Sequence, residues 1–222
     1  VCPNVIDDLA QLPRLLDSQA AEFDLIQCGK HRALNVCSIG FDARIGTSVN
    51  RYTRLPFVTG SGAYVLSILV NLLRGVHEHY RITVDGQVFD GEYTLACIAN
   101  GRYYGGGFYP LPEAQPDDGL LDVVLLKPVP RLKLPGLLGG YKKGEHLTPD
   151  GTVTEKFRPY LTYFRTSAID IRVLDPKPMI TTLDGECSPQ KTLHAETARR
   201  SARILLPPKL AYNAPVLQVM GE

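Results

Sequence analysis

The sequence predicts an α+β fold that is mainly antiparallel β, a two-sheet β-sandwich with one or two flanking helices. Three observations carry this. Asp-Gly dipeptides at Asp85-Gly86 and Asp90-Gly91 sit between strand-forming residues, which signals tight antiparallel pairing. Several short segments alternate apolar and polar residues, whereas a firm spacing of three and four occurs once. Many short strands, each with one apolar face, must stack against a second layer.

Taken in order, VIDDLAQLPRLLDS is a short helical pattern interrupted by Pro13 and reads as a connecting segment over residues 1–22, with the domain proper over 23–222. Two apolar stretches, 23–28 and 33–41, flank the polar turn GKHR as a hairpin would. From Ser61, which can cap a helix, Val65, Ile68, Leu69, Leu72 and Val76 recur at helical spacing. TLACIA is apolar on both faces and belongs in the centre of a sheet. A second helix is expected near 132–141, weakened by Pro135 and Gly136. SAIDIRVLD sets Ile169, Ile171 and Val173 against Asp170 and Arg172, the period of a half-exposed strand. PMITTL and SARILLPP add two more strands.

Charge and cysteine content narrow the function classes. The 24 Lys and Arg nearly cancel the 23 Asp and Glu, so no overall field favours nucleic acid, and no nucleic-acid partner is expected. Five scattered cysteines without a Cys-x-x-Cys pair suit a reducing cytosol better than a disulfide framework or a zinc site. The longest apolar run, residues 63–73, is shorter than the roughly 20 residues a spanning helix needs. A chain that starts at Val1 without an initiator Met is expected to be a piece of something longer.

Three polar stretches invite chemistry. NGRYYGGGF, from Asn100, ends in glycines that let a backbone approach a ligand; it serves equally as a bulged connection, and no Walker loop follows. In QPDDGLLD, a carboxylate of Asp117 or Asp118 and turn carbonyls suit a hard cation, and an Asx turn explains the same letters. In TTLDGECSP, Glu186 follows a glycine turn where a carboxylate can project and act as a base, or merely face solvent.

Together, NVCSIGFDARIG, NGRYYGGGFYPLPEAQPDDGLLDVVLL, KKGEH and LDGE resemble, in the right order from about Asp24 to Leu206, the second domain of the diacylglycerol kinase-like lipid kinases. The resemblance implies a general base at Glu186 and a structural Mg²⁺ held by the Asp118 side chain with the carbonyls of Gln115 and Leu120, Asp117 being a solvated neighbour. Asp184 becomes a turn former or supporting carboxylate, and Asn100, Gly106 and Gly107 become substrate-side candidates. The implied partners are a lipid substrate at the membrane surface, diacylglycerol or a related lipid, and a nucleotide-binding domain holding ATP through a GGDGT loop. That loop is absent; PDGT at residues 149–152 lies out of family order. The chain by itself is therefore expected to be inactive. A homodimer is a further expected partner state, and the expected location is cytoplasmic and peripheral to the membrane, with Phe108 and Tyr109 of the 105–109 loop inserting at the interface. Two rivals are weighed. TGSGAYVL approaches a Gly-Ser-Thr-Ala-Tyr motif of NAD kinase, but Gly62 replaces the threonine. A non-catalytic lipid-binding or regulatory module would also lack the nucleotide loop.

Overall fold

The computed structural model describes residues 19–40, 77–105 and 107–206. The expected helix from Ser61, the TGSGAYVL stretch, Gly106 and residues 1–18 of the connecting segment lie outside them. The first sheet contains β1 (Gln19–Cys28), β2 (His31–Ala33), β4 (Glu78–Val84), β5 (Gln87–Tyr93), β9 (Ala168–Val173) and β12 (Thr192–Leu206), in the order β2-β1-β12-β9-β4-β5. The second contains β3 (Val36–Gly40), β6 (Leu95–Ala99), β7 (Leu121–Leu126), β8 (Leu161–Thr166), β10 (Met179–Leu183) and β11 (Glu186–Gln190), in the order β11-β10-β3-β6-β7-β8. Every pairing is antiparallel.

Apolar alternation explains the layers. Ile26, Ile82 and Ile171 of the first sheet meet Ile39, Ile98 and Leu125 of the second in one buried cluster, so the sheets stack face to face as expected. The second sheet is also apolar on its outer face, where Leu95, Cys97 and Val124 pack under Phe108, Leu137 and Phe157. The helix α1 (Leu134–Lys143) supplies that cover, entered through a 3₁₀ turn at Arg131–Lys133. Pro135 falls in its first turn, where the missing N–H costs nothing, so it starts the helix rather than weakening it.

Four expectations are corrected. Residues 19–22 are not connector: they belong to β1 and pair with β12. The hairpin around GKHR uses only His31–Ala33 as its second arm; the chain then crosses to the other sheet, and Val36–Gly40, buried throughout, becomes β3. Asp85-Gly86 turns the chain with left-handed backbone at both residues, but Asp90-Gly91 lies inside β5. There Asp90 is drawn across the ladder by His79 at 2.6 Å and Arg81 at 2.8 Å, which favours continued pairing over a turn. Phe108 is 2% exposed and cannot enter a bilayer, because it bridges to Tyr104 and fills the outer cluster.

Candidate functional site

The strand ends of the second sheet gather the polar motifs on one rim. β10 ends at Leu183 and turns through Asp184, φ 46°, and Gly185, φ 102°, into Glu186, which opens β11 opposite Leu183. Left-handed backbone at both central residues is what a two-residue hairpin demands, and glycine takes the second position without steric cost. Glu186 is exposed, and beyond the strand pairing with Leu183 its carboxylate makes no hydrogen bond to another described residue, so it can meet a ligand. Asp184 is committed. Its carboxylate accepts the backbone N–H groups of Leu34, Asn35 and Val36 at 2.6, 3.1 and 2.8 Å, and its own N–H donates to the Val36 carbonyl at 2.9 Å. It thereby pins the crossing between β2 and β3 to the hairpin that carries Glu186.

The Asn100 loop is tied to the same crossing. The Asn100 N–H donates to the Asn35 carbonyl at 2.9 Å, and the Asn35 amide donates to the Tyr103 carbonyl at 2.9 Å. A Cβ at Gly101 would collide with the Asn35 Oδ1, so a side chain there would push the Asn35 amide off the Tyr103 carbonyl. The buried Asn100 amide donates to the Asp24 carbonyl at 2.7 Å, and its Oδ1 finds no partner among the described residues. Gly107, φ 76°, turns the chain between bridged Tyr104 and Phe108. Asp184 and Asn100 are thus brought together through Asn35.

Asp24 links this network to the Asp-Asp-Gly turn, a role the sequence reading missed. It sits at a bulge where β1 advances two residues while β12 advances four, from Phe23↔Ala202 to Leu25↔Ala198. Its fully buried carboxylate accepts the N–H groups of Gly119 and Arg200, both at 2.7 Å, and its N–H donates to the Pro116 carbonyl at 2.7 Å. A lone acid within the apolar stretch FDLIQC was the available signal.

Asp118 closes its own turn, Oδ1 accepting the Leu120 N–H at 2.9 Å, and its Oδ2 pairs with the Arg165 guanidinium. Gln115 is exposed and Leu120 half-buried. The donors are the hard oxygens that Mg²⁺ takes, but the guanidinium already neutralises the carboxylate, so the set fits the cation only with Arg165 displaced. Among the described residues, no group of three or more His, Cys, Asp or Glu could hold a metal.

Two buried titratable groups flank the rim. Asp122, one residue into β7, receives the Tyr163 hydroxyl on Oδ1, and its Oδ2 lacks a partner among the described residues; burial raises its pKa to about 6. In KKGEH, Gly144 caps α1 with φ 79°, and buried His146 bonds the Pro110 carbonyl at 2.7 Å, its pKa lowered to about 4 by burial. His146 stays neutral and fastens the helix end to the 109–112 loop.

Comparisons with known proteins identify the family and the fold. A family described as the YegS C-terminal NAD kinase beta sandwich-like domain matches residues 35–206. A Shewanella frigidimarina protein named "Probable lipid kinase YegS-like" is 27% identical over 96% of this chain and 63% of its own length. A Pseudomonas aeruginosa protein of the same name is 30% identical over 87% of this chain and 59% of its own. The crystal structure of a diacylglycerol kinase from Bacillus anthracis has the same fold, with a TM-score of 0.59 at 18% identity over 93% of this chain and 61% of that one. The chain spans about three fifths of the length of these relatives. Among the described residues, no helix is long and apolar enough to cross a membrane.

Proposed function

Because the chain belongs to the YegS C-terminal NAD kinase beta sandwich-like family, we propose that it is the lipid-side domain of a kinase that phosphorylates a lipid hydroxyl from ATP, with Glu186 as the base. The curated relatives carry the name of probable lipid kinases, which supports the lipid branch over the NAD kinase rival. The observation that carries the assignment is the division of labour at the hairpin. Asp184 spends its carboxylate on three backbone N–H groups, so the adjacent turn is held in place, and Glu186 is presented exposed at its end. Phosphoryl transfer asks little of the protein beyond positioning, charge neutralisation and a base that orients and deprotonates the attacking hydroxyl. A carboxylate that is fixed in position and open to solvent suits that role.

In this reading the nucleotide half lies outside these 222 residues, and ATP would be held there. Mg²⁺ at Asp118, with the carbonyls of Gln115 and Leu120, would brace the turn that Asp24 anchors. The lipid would arrive from the membrane surface, diacylglycerol or a related alcohol, met by Tyr103 and Leu34, which are 49% and 43% exposed beside the Asn35 crossing. The deciding experiment is a lipid-panel phosphorylation assay on the full-length protein. Glu186→Gln is expected to lower turnover by about 10² to 10⁴ with folding intact, and near-normal turnover would refute the assignment. A full-length protein that binds lipid but phosphorylates none would favour the non-catalytic module.

A further inference from the structure

Cys28 and Cys37 meet in the core between the sheets. Cys28 ends β1 in the first sheet, paired with His31 across the Gly29-Lys30 turn, and Cys37 is the second residue of β3 in the second sheet. Their sulfurs are 3.9 Å apart. Cys37 is fully buried, whereas Cys28 is 8% exposed at the end of a hairpin. Between them the chain crosses from one sheet to the other through Leu34 and Asn35, so the two sheets are already joined by backbone at this corner.

We propose that Cys28 and Cys37 are an oxidation site that closes into an inter-sheet disulfide when the protein meets a peroxide. The contact between the thiols lowers the Cys28 pKa, and the same contact together with burial raises that of Cys37, which makes Cys28 the first thiolate. Its sulfur attacks one oxygen of hydrogen peroxide; the O–O bond breaks, an S–O bond forms, and the departing hydroxide takes up a proton as water. The Cys37 sulfur then attacks the sulfenic sulfur of Cys28; the S–S bond forms, the S–O bond breaks, and the leaving hydroxide carries away the Cys37 proton as a second water. Two thiols are oxidised and one peroxide is reduced to two waters. The sulfurs must close from 3.9 Å to about 2.05 Å, a movement shared between two side chains beside a turn. The bridge would fasten β1 to β3 directly next to Val36, whose N–H holds Asp184. It does not depend on the kinase reading.

The remaining thiols serve as controls. Cys187 is exposed and contacts the Thr182 hydroxyl at 2.8 Å, and Cys97 points into the outer cluster. The test uses the full chain carrying Cys2→Ser and Cys187→Ser, which leaves three of the five cysteines. After millimolar hydrogen peroxide, thiols titrated in denaturant should fall from three per chain to one. Trypsin, which cuts after Lys30 and Arg32, should then release two peptides, one with Cys28 and one with Cys37, joined until dithiothreitol separates them. In the otherwise wild-type chain the same joined peptides should appear, and Cys28→Ser should abolish them. Full alkylation of Cys28 and Cys37 after peroxide, or a bridge that joins Cys37 to Cys97, would overturn the proposal.

Discussion

A carboxylate that accepts three backbone N–H groups cannot be exchanged for an amide without turning a donor toward donors. Asp184→Asn should therefore cost about 1–3 kcal/mol of stability, read as a lower denaturation midpoint, whereas Glu186→Gln should leave the midpoint unchanged while turnover falls. Equal midpoints for Asp184→Asn and wild type would remove Asp184 from its anchoring role. The neighbouring cation question is also decided by single residues. Arg165 and Mg²⁺ would compete for the Asp118 carboxylate, so Arg165→Ala should melt lower in chelator and gain more from added Mg²⁺ than wild type does. No response to Mg²⁺ in Arg165→Ala would exclude a cation at the Asp118 carboxylate. At this scale the sequence named Glu186, Asp184, Asn100 and Asp118 through motifs that resemble those of the lipid kinases. It did not name Asp24, Asn35 or Arg165, because their partners lie far along the chain and no local pattern encodes a contact between distant segments.

Elements show where local pattern suffices. β9 was legible because alternation of Ile169, Ile171 and Val173 with Asp170 and Arg172 matches its burial, residue by residue. β11 and most of β12 were not, since Pro189 and the run of charges from His194 to Arg200 resemble loop, and only pairing with β10, β1 and β9 makes them strand. The same override explains Asp90-Gly91, where cross-strand charge pairing defeats turn chemistry. The segment from Tyr103 to Tyr109 carries its own test. Phe108 is core, so Phe108→Ser should destabilise the fold by about 3–5 kcal/mol rather than weaken membrane binding selectively. Leu34→Ser combined with Tyr103→Ser should instead reduce the bound fraction in liposome flotation while the melting temperature holds. Undiminished binding by that double variant would exclude the crossing and the Asn100 loop as the lipid-facing edge.

For the molecule as a whole, two buried groups on the outer layer of the second sheet oppose one another in pH. Asp122 titrates at about 6 rather than 3.8, so the folded chain keeps a proton that the unfolded chain releases; the stability this gives is complete below about pH 4 and is lost as pH rises through 6. His146 titrates at about 4 rather than 6.5, so its contribution is complete above 6.5 and is lost as pH falls through 4. At about 1.4 kcal/mol per pH unit of separation, each is worth roughly 3 kcal/mol, with opposite sign. The wild-type profile should therefore be nearly level from pH 4 to 6.5. Asp122→Asn should unmask a stability that climbs with pH across that window, and His146→Gln one that declines. A level profile in both variants would mean that neither side chain is shielded from solvent as its burial requires.

The bulge at Asp24 also bears on how the chain assembles in time. It joins Asp24 to Arg200, 176 positions apart, and among the described strands β1 neighbours β2 and β12 alone. On a ribosome, the β1–β2 hairpin must therefore wait, as an unpaired edge, until almost the entire domain has emerged. Pairings of such long sequence separation slow the search for the native topology, and an exposed edge invites association with other chains in the interval. The nascent protein should consequently depend on chaperones most while residues 192–206 are still being synthesised, and a version ending before Thr192 should aggregate rather than fold.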